Sequence, residues 1–307
     1  MSAKTLYFGN PAKLHLRLSQ LVIHQPNAET PHTTPLEEVG IVILDNPQIT
    51  ITQALVTEML SQNIALICCN SQHLPTGLML NLHGNTLQSA HFREQIAATE
   101  PLKKQLWQQT VQAKIRNQAT LLEMLQRPAQ PLWRWAEDIK AGDPDNKEAR
   151  AAAYYWKHLF EEDADFRRSP DGLPPNNLLN YAYAIVRAMV ARSLVASGLL
   201  PTLGIFHRNQ YNAYCLADDI MEPYRPFADA LVLGLLRRNP ELADSLDGLT
   251  PAIKREVLGI VTQDVWHAKQ RHTMSAAIER STASLAKCFA RKSKTIFYPH
   301  FEGYLKK

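Results

Sequence analysis

The sequence predicts an α+β protein in which a β-rich, sandwich-like N-terminal domain over residues 1–100 precedes a larger all-α domain over residues 101–307. Three observations carry this reading. Apolar side chains in the first hundred residues either alternate with polar ones or form short continuous runs, the two patterns of strands. After Pro101 they recur at the helical period instead. The charge balance turns over at the same place: four Lys and Arg against seven Asp and Glu give −3 for residues 1–100, leaving +7 for the remainder.

Lys13-Leu-His-Leu-Arg-Leu-Ser alternates and reads as a strand with one face buried. Gly40-Ile-Val-Ile-Leu and Ile64-Ala-Leu-Ile-Cys-Cys are continuous apolar runs, and Gly77-Leu-Met-Leu-Asn-Leu alternates again. Residues 52–63 predict one short helix, and residues 26–35 a flexible hairpin connection. Leu102, Leu106, Ile115, Leu122 and Leu125 fall near one face of a first long helix, with Lys103, Lys114 and Arg116 off it. Gln126-Arg-Pro-Ala-Gln-Pro ends that helix, and Gly142-Asp-Pro-Asp breaks the chain again before a helix over residues 145–163. Residues 177–197 are apolar on most sides and stop at Gly198, as a central core helix does.

The 307 residues are enough for a buried core without disulfide or metal staples. With 45% hydrophobic and 20% charged residues and no run of eighteen apolar residues, the composition excludes disorder, collagen and a membrane span. The opening Met1-Ser-Ala-Lys-Thr-Leu-Tyr has no leader pattern, so a cytoplasmic location without membrane association is expected. Cys68, Cys69, Cys215 and Cys288 form no CxxC pair and read as reduced thiols without a zinc site. The basic half is the candidate for meeting a polyanion. Its C-terminal tail is the most biased stretch, from Arg280 to Lys306 and Lys307 opposed only by Glu302.

The densest polar constellation runs from His207 to Pro226. If residues 214–222 are helical, Asp218, Asp219 and Glu222 crowd one side, and like charges at that spacing repel unless a cation offsets them. On this spacing alone, a solvated acidic face with Arg225 as counter-ion is the simpler explanation. His207 follows an apolar approach that delivers it to the interior or to a cleft. One imidazole with carboxylate oxygens suits Mn²⁺ or Mg²⁺. Glu148, by contrast, fits the third position of a capping box opened by Asp145. No Walker loop, GxGxxG, GxSxG, HExxH or EF-hand pattern appears, which leaves metal-assisted work on phosphate esters or no catalysis. The aromatic clusters at residues 153–158 and 297–301 serve either core packing or stacking on unpaired bases.

Five blocks in order resemble the CRISPR-associated spacer-acquisition integrase, the metal-dependent adaptation endonuclease, and in particular its short type II branch. They are Leu36-Glu-Glu-Val-Gly-Ile-Val-Ile-Leu-Asp-Asn-Pro-Gln-Ile-Thr, His73-Leu-Pro-Thr-Gly, Glu148-Ala-Arg-Ala-Ala-Ala-Tyr-Tyr-Trp, Asn176-Asn-Leu-Leu-Asn-Tyr-Ala-Tyr, and Gly204-Ile-Phe-His207 through Asp219-Ile-Met-Glu222-Pro-Tyr-Arg-Pro. The resemblance covers most of residues 1–230 and fades beyond about residue 240. It implies an N-terminal β-domain that dimerises and a helical catalytic domain. It also implies a divalent metal, Mg²⁺ or Mn²⁺, held by Glu148, His207 and Glu222, so that it is the resemblance that takes Glu148 out of its capping role. His207 is alternatively a proton relay. Asp219 matches the same block and would stand behind the ligands or contact DNA.

The reaction so implied is transesterification: the 3′-hydroxyl of an incoming DNA fragment attacks a phosphodiester at the repeat boundary of a CRISPR array. The implied partners are that DNA, a second copy of the chain, and a small ferredoxin-like companion subunit bridging two dimers. Arg187, Arg192 and Arg208 are candidate DNA contacts only through their nearness in sequence to the motifs. Two rivals stand beside this reading: a metal-dependent nuclease or resolvase that cuts branched DNA without joining, and a noncatalytic scaffold that captures DNA.

Overall fold

A computed structural model of the chain describes residues 4–301 apart from 27, 72, 74, 161–165, 170, 171, 173 and 244–248. Strands β1 (Lys4–Phe8), β2 (Lys13–Arg17), β3 (Gln20–His24), β4 (His32–Pro35), β5 (Val39–Leu44), β6 (Thr50–Ile51), β7 (Ala65–Cys69) and β8 (Pro75–Met79) come first, with helix α1 (Gln53–Ser61) between β6 and β7. They form two four-stranded sheets, ordered β1-β5-β7-β8 and β4-β3-β2-β6. In the first, β1, β5 and β7 are parallel and β8 is antiparallel to β7.

β5 and β7 read as unbroken apolar runs because both of their faces are buried. Val42 and Leu66 point into a core shared with Leu14, Leu21, Leu55 and Met59. Ile41, Ile43, Ala65 and Ile67 point the other way, into the core of the helical part. This sheet is therefore the wall on which the helices are built.

The helices are α2 (Gln88–Ile96), α3 (Glu100–Met124), α4 (Gln130–Glu137), α5 (Lys147–Leu159), α6 (Asn176–Ala196), α7 (Cys215–Met221), α8 (Arg225–Arg238), α9 (Pro251–Val257) and α10 (Met274–Phe289). The predicted core helix is α6. It is long and apolar enough to cross a membrane by length and composition, but 72% of its apolar window is buried in the fold, as expected of a core helix.

The structure departs from expectation in several places, β3 and α2 among them, since neither was predicted. Residues 4–8, to which the sequence assigned no element, pair with β5 as β1. Residues 32–35, inside the predicted connection, pair with β3 as β4. A hairpin of β9 (Asp264–His267) and β10 (Gln270–Thr273) interrupts the helical half. Lys114, expected off the buried face of α3, is buried. The end of the helix predicted over residues 145–163 and the basic tail from Glu302 to Lys307 lie outside the described residues.

One ion pair joins the two halves from within. The Lys254 ammonium on α9 meets Asp45, just after β5, at 2.6 Å, with both side chains almost fully buried. Tyr7 on β1 donates to the same Asp45 oxygen at 2.6 Å, and His73 approaches the other at 2.9 Å. Burial raises the Asp45 carboxyl, but the hydrogen bonds from Lys254, Tyr7 and His73 outweigh it and hold it below the usual carboxylate range.

Candidate active site

One face of α3 organises the site. Trp107, Lys114 and Asn117 follow one another at helical spacings that keep them on one side, and all three are buried. Trp107 stacks on Phe206 with ring centroids 4.2 Å apart and meets His207 edge-on at 5.8 Å. Lys114 contacts both Glu148 and Glu222. Asn117 donates to the Pro223 carbonyl at 2.8 Å and the Pro299 carbonyl at 3.1 Å, pinning the turn that carries Glu222. The periodic signal found the helix but not this second buried face: a single lysine beside an apolar stripe reads as solvated.

Glu148 opens α5, but the expected capping box is absent. Asp143, not Asp145, caps the helix: its two carboxylate oxygens accept from the backbone N–H groups of Lys147 and Glu148, each at 2.9 Å. Asn146 between them takes a left-handed conformation, which turns the chain so that Asp143 can reach over. Asp145 faces Lys147 at 3.5 Å instead. The Glu148 carboxylate is thus free of the helix end, and it turns inward to the Lys114 ammonium.

Glu222 follows α7 and is buried between two cations. Its Oε1 accepts from Arg225 Nε at 2.8 Å, and its Oε2 lies 2.5 Å from Lys114 Nζ. Burial pushes the Glu222 carboxyl up, but the charges of Arg225 and Lys114 outweigh it and bring it down to about 2. The Oε2 contact is ionic rather than directed: that oxygen is buried and makes no hydrogen bond of acceptable angle. A carboxylate oxygen left in this state inside a fold needs a partner that attracts charge without regard to hydrogen-bond direction.

His207 is oriented by Asp219. Asp219 is fully buried, and its oxygens accept from the backbone N–H groups of Ile205 at 2.6 Å, Phe206 at 3.0 Å and His207 at 3.1 Å. His207 Nδ1 lies 2.6 Å from the same carboxylate. Because a carboxylate so surrounded by donors only accepts, the neutral imidazole carries its proton on Nδ1 and its lone pair on Nε2. The hydrogen bond to Asp219 raises the His207 imidazole above its ordinary value against the opposing effect of burial, helped by the charges of Asp219, Glu222 and Asp218. The loop closes this tightly only because residue 204 is glycine. A Cβ there would stand 2.3 Å from the His207 carbonyl oxygen and 2.8 Å from Asp219 Oδ2.

His207, Glu222, Asp218, Arg187 and Arg225 line a cavity of about 400 Å³ together with Thr76 and Gly77 of β8, whereas Glu148 is not part of its lining. Arg187 spans from Asp218 at 2.5 Å to Asn212 at 3.0 Å. Arg168, which the sequence reading missed, lines the same cavity and lies over the Tyr183 ring at 5.1 Å. Arg208 is exposed on the other side of His207 and pairs with Glu100 at 2.6 Å. Arg192 lies apart, donating to the Asn63 carbonyl at 2.6 Å where α6 meets the N-terminal part. Of the aromatic clusters, Tyr155, Tyr298 and Phe301 are core residues.

The donor set of two carboxylates and one imidazole nitrogen suits a hard or borderline divalent cation. Glu222 Oε2 and His207 Nε2 are the atoms with capacity to spare. Among the described residues, no three His, Cys, Asp or Glu side chains are grouped to share an ion as they stand. Two of the three candidates meet instead around the Lys114 ammonium.

The family model described as CRISPR associated protein Cas1 matches residues 6–245. A CRISPR-associated endonuclease Cas1 from Neisseria meningitidis serogroup C is 38% identical over 286 residues, 92% of this chain and 91% of the relative. A second, from Pyrobaculum aerophilum, is 28% identical over 82% of this chain and 88% of its own length. Among solved structures, a casposase bound to integration product superposes with a TM-score of 0.78 at 17% identity, covering 96% of this chain and 92% of that one. A Cas1 protein from Thermotoga maritima gives 0.74 at 15% identity, covering 96% and 99%. At those identities the two structures bear on the fold alone.

Proposed function

Because this chain belongs to the CRISPR-associated protein Cas1 family, we propose that it is a DNA endonuclease and integrase in which Glu148, His207 and Glu222 together hold one divalent cation, Mg²⁺ or Mn²⁺, for spacer insertion. The observation that carries this reading is the meeting of Glu148 and Glu222 on a single positive charge beside His207, although 74 positions of sequence separate them. The reaction is transesterification. One P–O bond forms from the 3′-hydroxyl of the incoming fragment, one P–O bond of the repeat strand breaks, and the proton lost by the attacking hydroxyl is returned to the leaving oxygen. The cation, when bound, polarises the phosphoryl oxygen and eases loss of the hydroxyl proton.

The chain's own residues do the rest. Asp219 keeps the His207 proton on Nδ1 so that Nε2 faces the site. Arg225 holds Glu222 from the side opposite Lys114. Arg187, Arg168 and Arg208 follow the phosphate backbone, each contact adding to a salt-sensitive affinity. Arg192, tied to the N-terminal part, acts on DNA only indirectly. Residues 1–100 form the dimerisation domain and residues 101–307 the catalytic one. Two dimers are bridged by a small ferredoxin-like companion. The protein works in the cytoplasm, in keeping with four free cysteines.

A labelled fragment with a free 3′-hydroxyl, incubated with a repeat-bearing plasmid, Mn²⁺ and the companion subunit, tests this. The wild type transfers label covalently to the plasmid, and Glu222→Ala binds DNA but transfers none. Cleavage without transfer in the wild type favours the nuclease or resolvase reading, and undiminished transfer by Glu222→Ala refutes the assignment.

A further inference from the structure

We propose that Lys114 is an internal counter-ion that holds Glu148 and Glu222 in register before the divalent cation arrives, and that the cation binds by displacing its ammonium. The inference rests on the metal-binding reading above and extends it to a residue outside the ligand set.

The geometry leads there in three steps. Lys114 is the point at which two carboxylates from different helices meet, and its side chain is only 9% exposed. Without it, the buried Glu222 carboxylate and the half-buried Glu148 carboxylate would face each other at short range with no positive charge between them, an arrangement that costs free energy. Its ammonium is therefore a condition for the carboxylates being preassembled. The contact with Glu222 Oε2 is also one that a cation without directional bonds can replace, because that oxygen makes no aligned hydrogen bond to Lys114. Finally, Lys114 can yield without dismantling the site. The turn carrying Glu222 is separately pinned by Asn117, Arg225 holds the other carboxylate oxygen, and Asp143 fixes the start of the Glu148 helix. The flexible lysine stem is the mobile part, and the scaffold around it is tied down.

Exchange of this kind has a measurable cost and benefit. The cation must compete with a resident positive charge, so binding is weakened, while the protein without metal is stabilised. Lys114→Met keeps the length and apolar bulk of the stem and removes the charge. Isothermal titration with Mn²⁺, in the absence of DNA, should show affinity for Lys114→Met at least about tenfold tighter than for the wild type. The melting temperature in chelator should fall, and saturating Mn²⁺ should restore most of the loss, giving a larger metal-induced shift than in the wild type. Lys114→Met/Glu148→Gln, which removes one of the facing charges, should recover the metal-free melting temperature without metal.

Unchanged or weaker Mn²⁺ binding by Lys114→Met, with wild-type binding intact and lost in Glu222→Gln, overturns the displacement while leaving the metal site standing. Wild-type protein that binds no Mn²⁺ overturns both. Should Lys114→Met fail to fold in chelator, the titration is performed on Lys114→Gln, which removes the charge but keeps a neutral donor for the carboxylates and leaves all three proposed ligands in place; the same tightening is expected and its absence contradicts the proposal.

Discussion

At the scale of single residues, the site is a set of charges whose neighbours decide what each can do. Lys114 and Asp143 illustrate why sequence alone misassigned two of them. A lysine at the margin of an apolar stripe is solvated in most helices, and nothing in its own segment announces two carboxylates arriving from residues 148 and 222. Asp143 and Asp145 both precede the helix, and the choice between them depends on a left-handed Asn146 that leaves no mark in composition. His207 and Glu222, in contrast, were visible in their motif, and Asp219 behind them. Next to the site, Asp229 accepts from Tyr183 at 2.5 Å and Tyr155 at 2.7 Å in full burial. Burial raises its carboxyl to about 6, more than the hydrogen bonds from Tyr183 and Tyr155 lower it. The folded value lies above the ordinary 3.8, so the stability Asp229 contributes is fully present below that value and is lost as pH rises through about 6. A difference of this size corresponds to about 3 kcal/mol. Denaturant unfolding of the wild type and Asp229→Asn between pH 4 and pH 8 checks it: the wild type should lose stability relative to the variant across that window, and parallel profiles would contradict the assignment.

At the scale of elements, the long helices and buried strands were legible because their periods are long or their runs unbroken. β5, β7, α3 and α6 all fell within a residue or two of expectation. Two of the missed hairpins, β2–β3 and β9–β10, share a cause. The β2–β3 hairpin turns on Leu18 and Ser19 and the β9–β10 hairpin on Ala268 and Lys269, all four with positive φ. Residues of these types seldom adopt that conformation, so neither turn shows the Asn-Gly or Gly signal on which hairpin prediction depends. The element that matters most to function is α3, since it bears no candidate ligand yet touches the surroundings of all three. Asn117→Ala removes the donor from two buried proline carbonyls, and each acceptor left unsatisfied costs about 1–3 kcal/mol. The variant should melt several degrees lower and bind Mn²⁺ more weakly as the Glu222 turn loosens. Full stability with unaltered metal affinity would show that α3 does not set the position of Glu222.

At the scale of the whole molecule, the cavity lies where the N-terminal sheet meets the helices, with β8 forming one wall and α6 and α7 the other. Its shape therefore depends on how the two halves are joined. The buried Asp45–Lys254 pair is the polar centre of that joint, and removing one partner leaves the other charged in a dry environment. Asp45→Ala should cost about 3–5 kcal/mol. Because Tyr7 and His73 also lose their acceptor, the loss should be seen as a lower melting temperature shared by probes in both halves. Separate transitions for the two halves, with no loss in the helical one, would mean that the joint contributes nothing to it. The division of charge, negative in the first hundred residues and positive beyond, was legible in the sequence and is the basis for proposing that the helical part meets DNA.

The most direct measurement is anomalous scattering from crystals grown with Mn²⁺. It should reveal one peak bonded to Glu148, His207 and Glu222 together, with the Lys114 ammonium withdrawn from between the carboxylates. A peak that is bound elsewhere, or that leaves Glu148 or His207 uncoordinated, would contradict the shared site on which the mechanism is built.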